Sequence, residues 1–565
     1  MSLKEYCRER IFNVINKITE KSRYVIMIVD LNSYKILSLL CKNEELLERG
    51  VSLIELINCE RDNLEDFDCI YFLSSNIQSV DIMINDFKDE KCAKYKNIHI
   101  LFTSNISKDN QILDLIASNN FILKRIKSCA CINLHFFAYE SRIFYFHNSL
   151  SLFNYFPLIN NDILSQISSI LLSVCSCLKI FPSIRNGGGG KKKKKKKKKN
   201  IDAHTVLFEI TNNDQKKEEK EALLSEEDHL WSSYRHHHIQ DVNEIIKNEI
   251  SAFTEKNAVV KIQKKNVLNP TEALDALRSL PQYETLIEQY WLHYYLCNNC
   301  FKLLQDKNIV DVGLVEQDIC CNVDKYGKEL NHQKNLASVN TIITSDEYDQ
   351  EEKTRLLLLY FMNYININDN DKMKIIESAQ LNLFMKNIIN EFLKLNLHNS
   401  GYYSASDEPI QLSSNKIHHV LENSNKKKIK HYKNVAKNSK YELSRHEPII
   451  KDIILDIYND TLDENYFPHV DPTHQQEIKA GHASHENKQN VSRGTIWDFK
   501  TENKNQTKKE KKRKILIFII GGITYPEIKQ IYEMSNELDV DIYLGGTNLL
   551  TSKVIFDQFK QLPIS

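Results

Sequence analysis

Lys514-Ile515-Leu516-Ile517-Phe518-Ile519-Ile520-Gly521-Gly522-Ile523-Thr524-Tyr525-Pro526-Glu527-Ile528-Lys529 is the stretch that sets the architecture. Ile515 to Ile520 is apolar without alternation, the mark of a strand covered on both faces. The glycine pair turns the chain into a helix, and Tyr543-Leu544-Gly545-Gly546 leads it back as a second strand, giving a βαβ unit. The turn could place backbone N–H groups at a helix N-terminus and bind phosphate. The remaining glycines of a dinucleotide loop and the Lys-Ser/Thr of a P-loop are missing, so the expected role is a tight turn with close strand–helix packing.

The same pattern recurs at the start of the chain. Tyr24 to Val29, Ile70 to Leu73 and Ile98 to Phe102 are short apolar runs, separated by segments of helical spacing such as Val80, Ile84 and Phe87. The expected fold class is a multi-domain α/β protein with a parallel-sheet N-terminal domain. Farther on, Tyr283, Leu286, Ile287, Tyr290, Tyr294, Cys297 and Phe301 recur on one face of a helix that opens at Leu280-Pro281-Gln282 and forms one arm of a helical hairpin. A second helix begins between Tyr348 and Tyr360.

At 565 residues the chain exceeds one hydrophobic core, and domains of roughly 100–200 residues imply three or four. Basic and acidic residues balance at 75 each, so no global field draws the molecule to nucleic acid or an anionic membrane. The 13 cysteines are scattered, no secretory signal precedes them, and the apolar runs fall short of the ~20 residues that span a bilayer. The expectation is a cytoplasmic monomer, peripheral at membranes and reaching them through a partner. Gly187 to Gly190 and the nine lysines Lys191 to Lys199 have nothing apolar to bury and cannot fold.

No Gly-x-Ser-x-Gly elbow, HExxH or kinase set occurs, so an enzyme reading is poor. His236-His237-His238 cannot direct three rings at one ion from a helix, because neighbours diverge by ~100°. His469, His474, His482 and His485 lack cysteine partners at finger spacing. Cys129/Cys131 and Cys320-Cys321 lack CxxC spacing and read as packing thiols. No metal and no cofactor are expected.

The order and spacing of several segments resemble the Sec/Munc (SM) family, with the plasma-membrane, syntaxin-binding branch the nearest. They are Asp30, Ser33, Leu37 and Cys41-Lys42; Gly50-Val51-Ser52, Glu55 and Asn58; Asp86-Phe87-Lys88-Asp89; Tyr139-Glu140-Ser141; Leu230-Trp231 and Arg235 to Ile239; Tyr441-Glu442-Leu443-Ser444-Arg445; and the C-terminal unit to Thr551. The resemblance implies an α/β domain at 1–138 and a discontinuous α/β domain from 139–210 and 512–565, interrupted by the Gly/Lys tract at 187–200. It implies a mainly helical third domain at 215–470 with a polar loop near 395–440, then a polar linker at 471–511. These domains would form an arch.

Near 185–205 the family has a core strand without an equivalent here. Either another segment substitutes, Thr205 to Ile210 being one candidate, or the coding sequence lacks it.

The resemblance further implies a non-enzymatic regulator of vesicle docking and membrane fusion in exocytosis, which binds a syntaxin-type SNARE and the SNARE bundle and templates its assembly. By position, the inner face would present Lys35, Lys42, Glu55, Arg61, Asp62, Glu316, Gln317 and Asp318. An outer pocket for the N-terminal peptide of a syntaxin would have Ile112, Leu115, Cys129 and Cys131 as its wall. Two alternatives stay open: an SM protein of a Golgi or endolysosomal step, and a degenerate α/β enzyme holding a nucleotide at Gly521-Gly522.

Overall fold

The computed structural model describes residues 2–22, 24–88, 93–106, 111–146, 154, 161–180, 182–185, 205–211, 217–256, 270–306, 308–364, 367–394, 429–438, 440–464, 467, 469 and 512–560, with the backbone alone within 205–223 and 253–285. The lysine tract, residues 395–428 of the polar loop and the linker 471–511 lie outside the described residues. The chain divides into two compact units. One takes the described residues of Met1–Lys197 and Glu447–Gln558, the other those of Lys198–His398, Gln411–His446 and Phe559–Ser565.

The first unit opens with α1 (Leu3–Thr19), started by a capping box in which Ser2 and Glu5 exchange hydrogen bonds. Then follow β1 (Val25–Val29), α2 (Leu31–Leu40), α3 (Asn43–Glu48), β2 (Val51–Leu56), β3 (Asp68–Leu73), α4 (Ile77–Asn85), β4 (Ile98–Phe102), α5 (Ile112–Ser118), α6 (Asn120–Arg125) and β5 (Ile126–Cys131). The five strands pair in parallel in the order β2-β1-β3-β4-β5. Successive residues of a strand point to opposite faces. Accordingly Val25, Met27 and Val29 join Ile70, Phe72 and the apolar face of α1 on one side. Ile26 and Ile28 join Cys69, Tyr71, Ile98 and Ile100 on the other.

A second sheet is assembled from distant parts of the chain. β6 (Phe137–Ala138) and β7 (Ile143–Tyr145) form an antiparallel pair, and α7 (Asn161–Leu178) follows. α7 lies within the apolar stretch of sequence from Leu150 to Ile184.

The second unit begins with β8 (Thr205–Thr211) and β9 (Lys217–Leu223), an antiparallel pair that forms a sheet of its own. Thr205 to Ile210, one candidate for the strand missing near 185–205, therefore does not take that place: it pairs with β9 and not with the sheet that holds β6 and β7. Antiparallel partners six residues apart close a short loop, which costs far less chain entropy than a distant pairing.

Next come α8 (His229–Tyr234), α9 (Ile239–Lys256), α10 (Pro270–Asp306), α11 (Ile309–Cys321), α12 (His332–Thr344), α13 (Gln350–Asn363), α14 (Asp369–Ser378) and α15 (Leu383–Lys394). α10 starts ten residues before the expected Leu280 and carries Pro281 inside it. Pro270 suits the first helical position, where no N–H is needed. α11 ends on Asn322 in the left-handed conformation (φ 54°), and the polar turn Asp324 to Lys328 follows, as its composition indicates.

The chain then re-enters the first unit with α16 (Ile450–Tyr458), β10 (Lys514–Ile519), α17 (Tyr525–Glu537), β11 (Asp541–Gly546) and α18 (Ser552–Lys560). β10 and β11 are parallel with α17 between them, the βαβ unit read from the opening stretch. β11 also pairs with β7, giving the order β10-β11-β7-β6. Gly545 allows this. A Cβ there would lie 2.1 Å from Phe144 Cζ, so only glycine lets the two strands share the sheet with that ring between them. Phe146 and Phe518 stack on one face, with ring centroids 4.8 Å apart. α16 and α17 cover the other through Ile450, Ile454, Ile528 and Ile531. No helix among the described residues is long and apolar enough to cross a membrane.

Candidate functional site

In an open parallel sheet, ligands settle outside the carboxyl ends of the strands where the strand order reverses, here between β1 and β3. Asp30 stands at that point, at the end of β1 and the start of α2. Its Oδ1 accepts from the Ser33 N–H and Ser33 Oγ, both at 2.8 Å. Oδ2 accepts from the Ser74 N–H at 2.8 Å, from Ser79 Oγ at 3.1 Å and from the Ser74 hydroxyl. The polar groups that a substrate would use are thus committed to one another.

The glycine turn is committed in the same way. Gly521 and Gly522 have φ of 114° and 133°. The Gly521 N–H donates to Thr547 Oγ1 at 3.0 Å, and a Cβ on Gly522 would lie 2.5 Å from Leu550 Cγ. The N-terminus of α17 is closed by Thr524 and Glu527, whose carboxylate accepts from both the N–H (2.8 Å) and the hydroxyl (2.7 Å) of Thr524. A carboxylate already occupies the place a phosphate would take.

Of the residues assigned by resemblance to the inner face, five lie around β1 and β2. Lys35 is half-buried on α2, and Lys42 is exposed at the N-cap of α3. Glu55 is half-buried on β2, an outer strand of the sheet, and Asp62 is exposed after it.

Arg61 departs from the expectation. Its side chain is 3% exposed and holds Asp86 with both terminal nitrogens, at 2.7 and 3.1 Å, while Nη2 also donates to the Ile57 carbonyl. Burial disfavours the charge, but the hydrogen bond and charge of Asp86 outweigh it and push the guanidinium pKa up. Tyr71 donates to the same carboxylate at 2.7 Å. Arg61 is therefore a core ion pair and offers no surface charge to a partner.

Sequence reading missed the apolar side chains interspersed with these charges: Leu31, Tyr34, Leu47 and Leu53 are all exposed. The signal was present in α2, where Leu31 and Tyr34 fall off the face formed by Ser33, Ile36, Leu37 and Leu40.

Glu316, Gln317 and Asp318 lie on α11 and hold their own unit together. Glu316 pairs with Arg355 of α13 at 2.7 Å. Gln317 Oε1 accepts from the N–H groups of Arg445 and His446, at 3.0 and 2.8 Å. Asp318 pairs with Arg445 at 2.6 Å. Burial raises the Asp318 pKa, and Arg445 opposes that only in part. Arg445 also donates to the carbonyls of Val323 (2.6 Å) and Glu442 (2.8 Å).

The segment is fastened at its other end as well. Tyr441 donates to Asp241, Lys440 pairs with Asp241 at 2.6 Å, and the His238 ring stacks on Tyr441. His238 and the Tyr-Glu-Leu-Ser-Arg motif thus belong to one fastening.

The residues of the expected peptide pocket separate. Ile112 is fully buried in the core beside β4, so it cannot serve as a pocket wall. Leu115 is half-buried, and Cys129 and Cys131 are exposed on β5, the other outer strand. The exposed apolar side chains of this region are instead Leu113, Phe121 and Leu123 on α5 and α6.

The Sec1 family model matches residues 25–208 and 191–558. Among curated relatives, "Protein transport protein sec1" of Dictyostelium discoideum is 27% identical over 99% of both chains. The protein of that name in Schizosaccharomyces pombe is 24% identical over 97% of this chain and 83% of its own. Among solved structures, the Unc18–syntaxin 1 complex of Monosiga brevicollis superposes with a TM-score of 0.73 at 18% identity, over 99% of both chains. The SM protein Vps45 in complex with the Qa SNARE Tlg2 gives 0.70 at 15%, over 99% of this chain and 98% of that one. With its large sheets, its closing βαβ unit and a model match over most of its length, this chain belongs to the Sec1 family.

Proposed function

We propose that the protein binds a syntaxin-type SNARE and, through it, regulates vesicle docking and fusion in secretion, templating assembly of the SNARE bundle. The observation that carries this reading is the end-to-end likeness to transport proteins of the Sec1 type, over 99% of both chains in Dictyostelium. The commitment of Asp30 and of the Gly521 turn to internal partners supports a protein that acts by binding, without catalysis. Such a protein works by preferring one helical state of its partner over another.

The proposed contact surface comprises Lys35, Lys42, Glu55 and Asp62 with the exposed Leu31, Tyr34, Leu47 and Leu53. Mixed charge would set register and association rate, and the apolar groups would supply affinity. The three-domain division at about 138 and 215, and a peripheral cytoplasmic location, belong to the same reading.

The test is binding of purified protein to syntaxin cytoplasmic regions from the plasma membrane, Golgi and endolysosome. The secretory assignment requires preference for the plasma-membrane form. Preference for an endolysosomal form would instead favour the second reading, to which the Vps45 likeness points. No binding to any, together with thermal stabilisation by a nucleotide, would overturn both.

A further inference from the structure

α5 and α6 cover one face of β4 and β5 with some of their side chains and leave others bare. Ile112, Ile116 and Ile122 enter the core beside Ile98, Ile100 and Phe102. Leu113, Phe121 and Leu123, next to those inward residues in sequence, are 47%, 38% and 45% exposed. The orientation of α6 is set at both ends. The side-chain oxygen of Asn119 accepts from the N–H groups of Phe121 (3.0 Å) and Ile122 (3.2 Å). Arg125 Nη1 donates to the carbonyls of Tyr95 (3.1 Å) and Lys96 (3.2 Å), which ties the end of α6 to the chain entering β4. Cys129 and Cys131, both exposed, stand opposite Ile100 and Phe102 and so share the face that α5 and α6 cover.

The charges among these side chains are mainly of one sign. Between 111 and 131 the sequence holds Lys124, Arg125 and Lys127 against the single acid Asp114. The Arg125 bond brings Lys96 to the same place. Lys96, Lys124 and Lys127 are exposed, and none makes an ion pair among the described residues. The balanced total of the chain removes a global field, but charge acts over only about 8 Å at physiological salt, so an approaching surface meets this local excess. Bare apolar side chains among such lysines suit an anionic bilayer, where the former enter the acyl boundary and the latter meet headgroup phosphates. Nucleic acid would be gripped by stacking, for which Phe121 is the one ring among the three.

We propose that α5, α6 and the start of β5 form a docking surface for an anionic phospholipid membrane. Leu113, Phe121 and Leu123 enter the bilayer, and Lys96, Lys124 and Lys127 pair with the headgroup phosphates. The surface holds the first unit on the membrane directly, in addition to any hold through a SNARE.

The inference is independent of the SNARE reading. Lys191 to Lys199 would attract the same vesicles, so the reference is the full-length protein with those nine lysines replaced by glycine and serine. It is mixed with vesicles of phosphatidylcholine alone, or with about 30% phosphatidylserine, and binding is read by co-flotation. The expected result is binding to the anionic vesicles that falls as salt rises. Lys124→Glu with Lys127→Glu should weaken it by about tenfold or more, and Leu113→Ser with Leu123→Ser comparably. Phe121→Trp reads the location: brominated acyl chains should quench the new tryptophan well beyond Trp231, Trp291 and Trp497, which the reference protein reports. No binding of the reference to anionic vesicles, binding that either pair of substitutions leaves unchanged, or a tryptophan at 121 no more quenched than the native three would each overturn the proposal. Loss of binding to a syntaxin cytoplasmic region in the leucine variant, with vesicle binding intact, would assign the patch to a protein partner instead.

Discussion

Arg445 and Asp318, 127 residues apart in sequence, meet at 2.6 Å, with the arginine side chain 2% exposed. Four further hydrogen bonds, two from the Arg445 side chain to carbonyls and two from the backbone N–H groups of Arg445 and His446 to Gln317 Oε1, fix this segment of the second unit. Removing one partner of a covered pair leaves the other charge uncompensated, which costs about 3–5 kcal/mol. Arg445→Met should lower the thermal midpoint and open residues 440–446 to limited proteolysis. Adding Asp318→Asn should restore part of the loss, since the stranded carboxylate is gone. A double variant no better than the single one would contradict this account.

Arg61 and the lysines Lys35 and Lys42 should separate cleanly into stability and binding. Arg61→Ala removes a core ion pair and should destabilise the first unit by about 3 kcal/mol or more, read by chemical denaturation. Lys35→Glu with Lys42→Glu should change stability by only about 1 kcal/mol or less. It should weaken association with the cognate syntaxin and reduce its dependence on salt, measured by titration at two ionic strengths. Unchanged affinity and salt dependence would remove this surface from the mechanism.

Asp228 caps α8 through the Trp231 N–H at 3.0 Å and bonds His293 at 2.7 Å. Burial alone would raise its pKa, but the His293 bond and the helix N–H groups prevail and lower it. A carboxyl depressed by folding contributes stability above its unfolded value of about 4 and loses it as pH falls through the lower folded value. Asp228→Asn keeps a capping side chain and removes the charge. It should cost about 1–2 kcal/mol at neutral pH and flatten the acid limb of the stability profile below about pH 4, measured by thermal midpoints across pH.

Gly545 and Phe144 give a steric prediction. Gly545→Ala sets a methyl group against the ring and should cost about 1–3 kcal/mol or more, as overpacked cores do. Phe144→Leu should relieve part of the strain in the double variant, which a double-mutant cycle measures.

Much of the first sheet was legible because β1, β3 and β4 are covered on both faces and therefore uniformly apolar. β2 (VSLIEL) and β5 (IKSCAC) were not read as strands. Both are outer strands, where serine, glutamate and lysine serve as well as hydrophobic residues and the apolar signal is lost.

The candidate surface was legible by position only. A charged residue in sequence carries no mark of whether a partner such as Asp86, 25 positions on, will draw it inside. The same holds for Ile112, which one turn of helix directs into the core. Thr205 to Ile210 has strand composition, but composition does not name a strand's neighbour, and the nearest one took it.

The pairing of β7 with β11 has a consequence for synthesis. Residues 143–145 leave the ribosome roughly 400 residues before 541–546, the stretch that must lie beside them. Throughout that interval, at a typical 5–20 residues per second, Ile143 and Phe144 wait with one backbone edge open. A transcript truncated anywhere upstream of Asp541 would therefore strand an incomplete sheet near the beginning of the polypeptide as well as shorten its end. Such products are natural clients for chaperones and proteases.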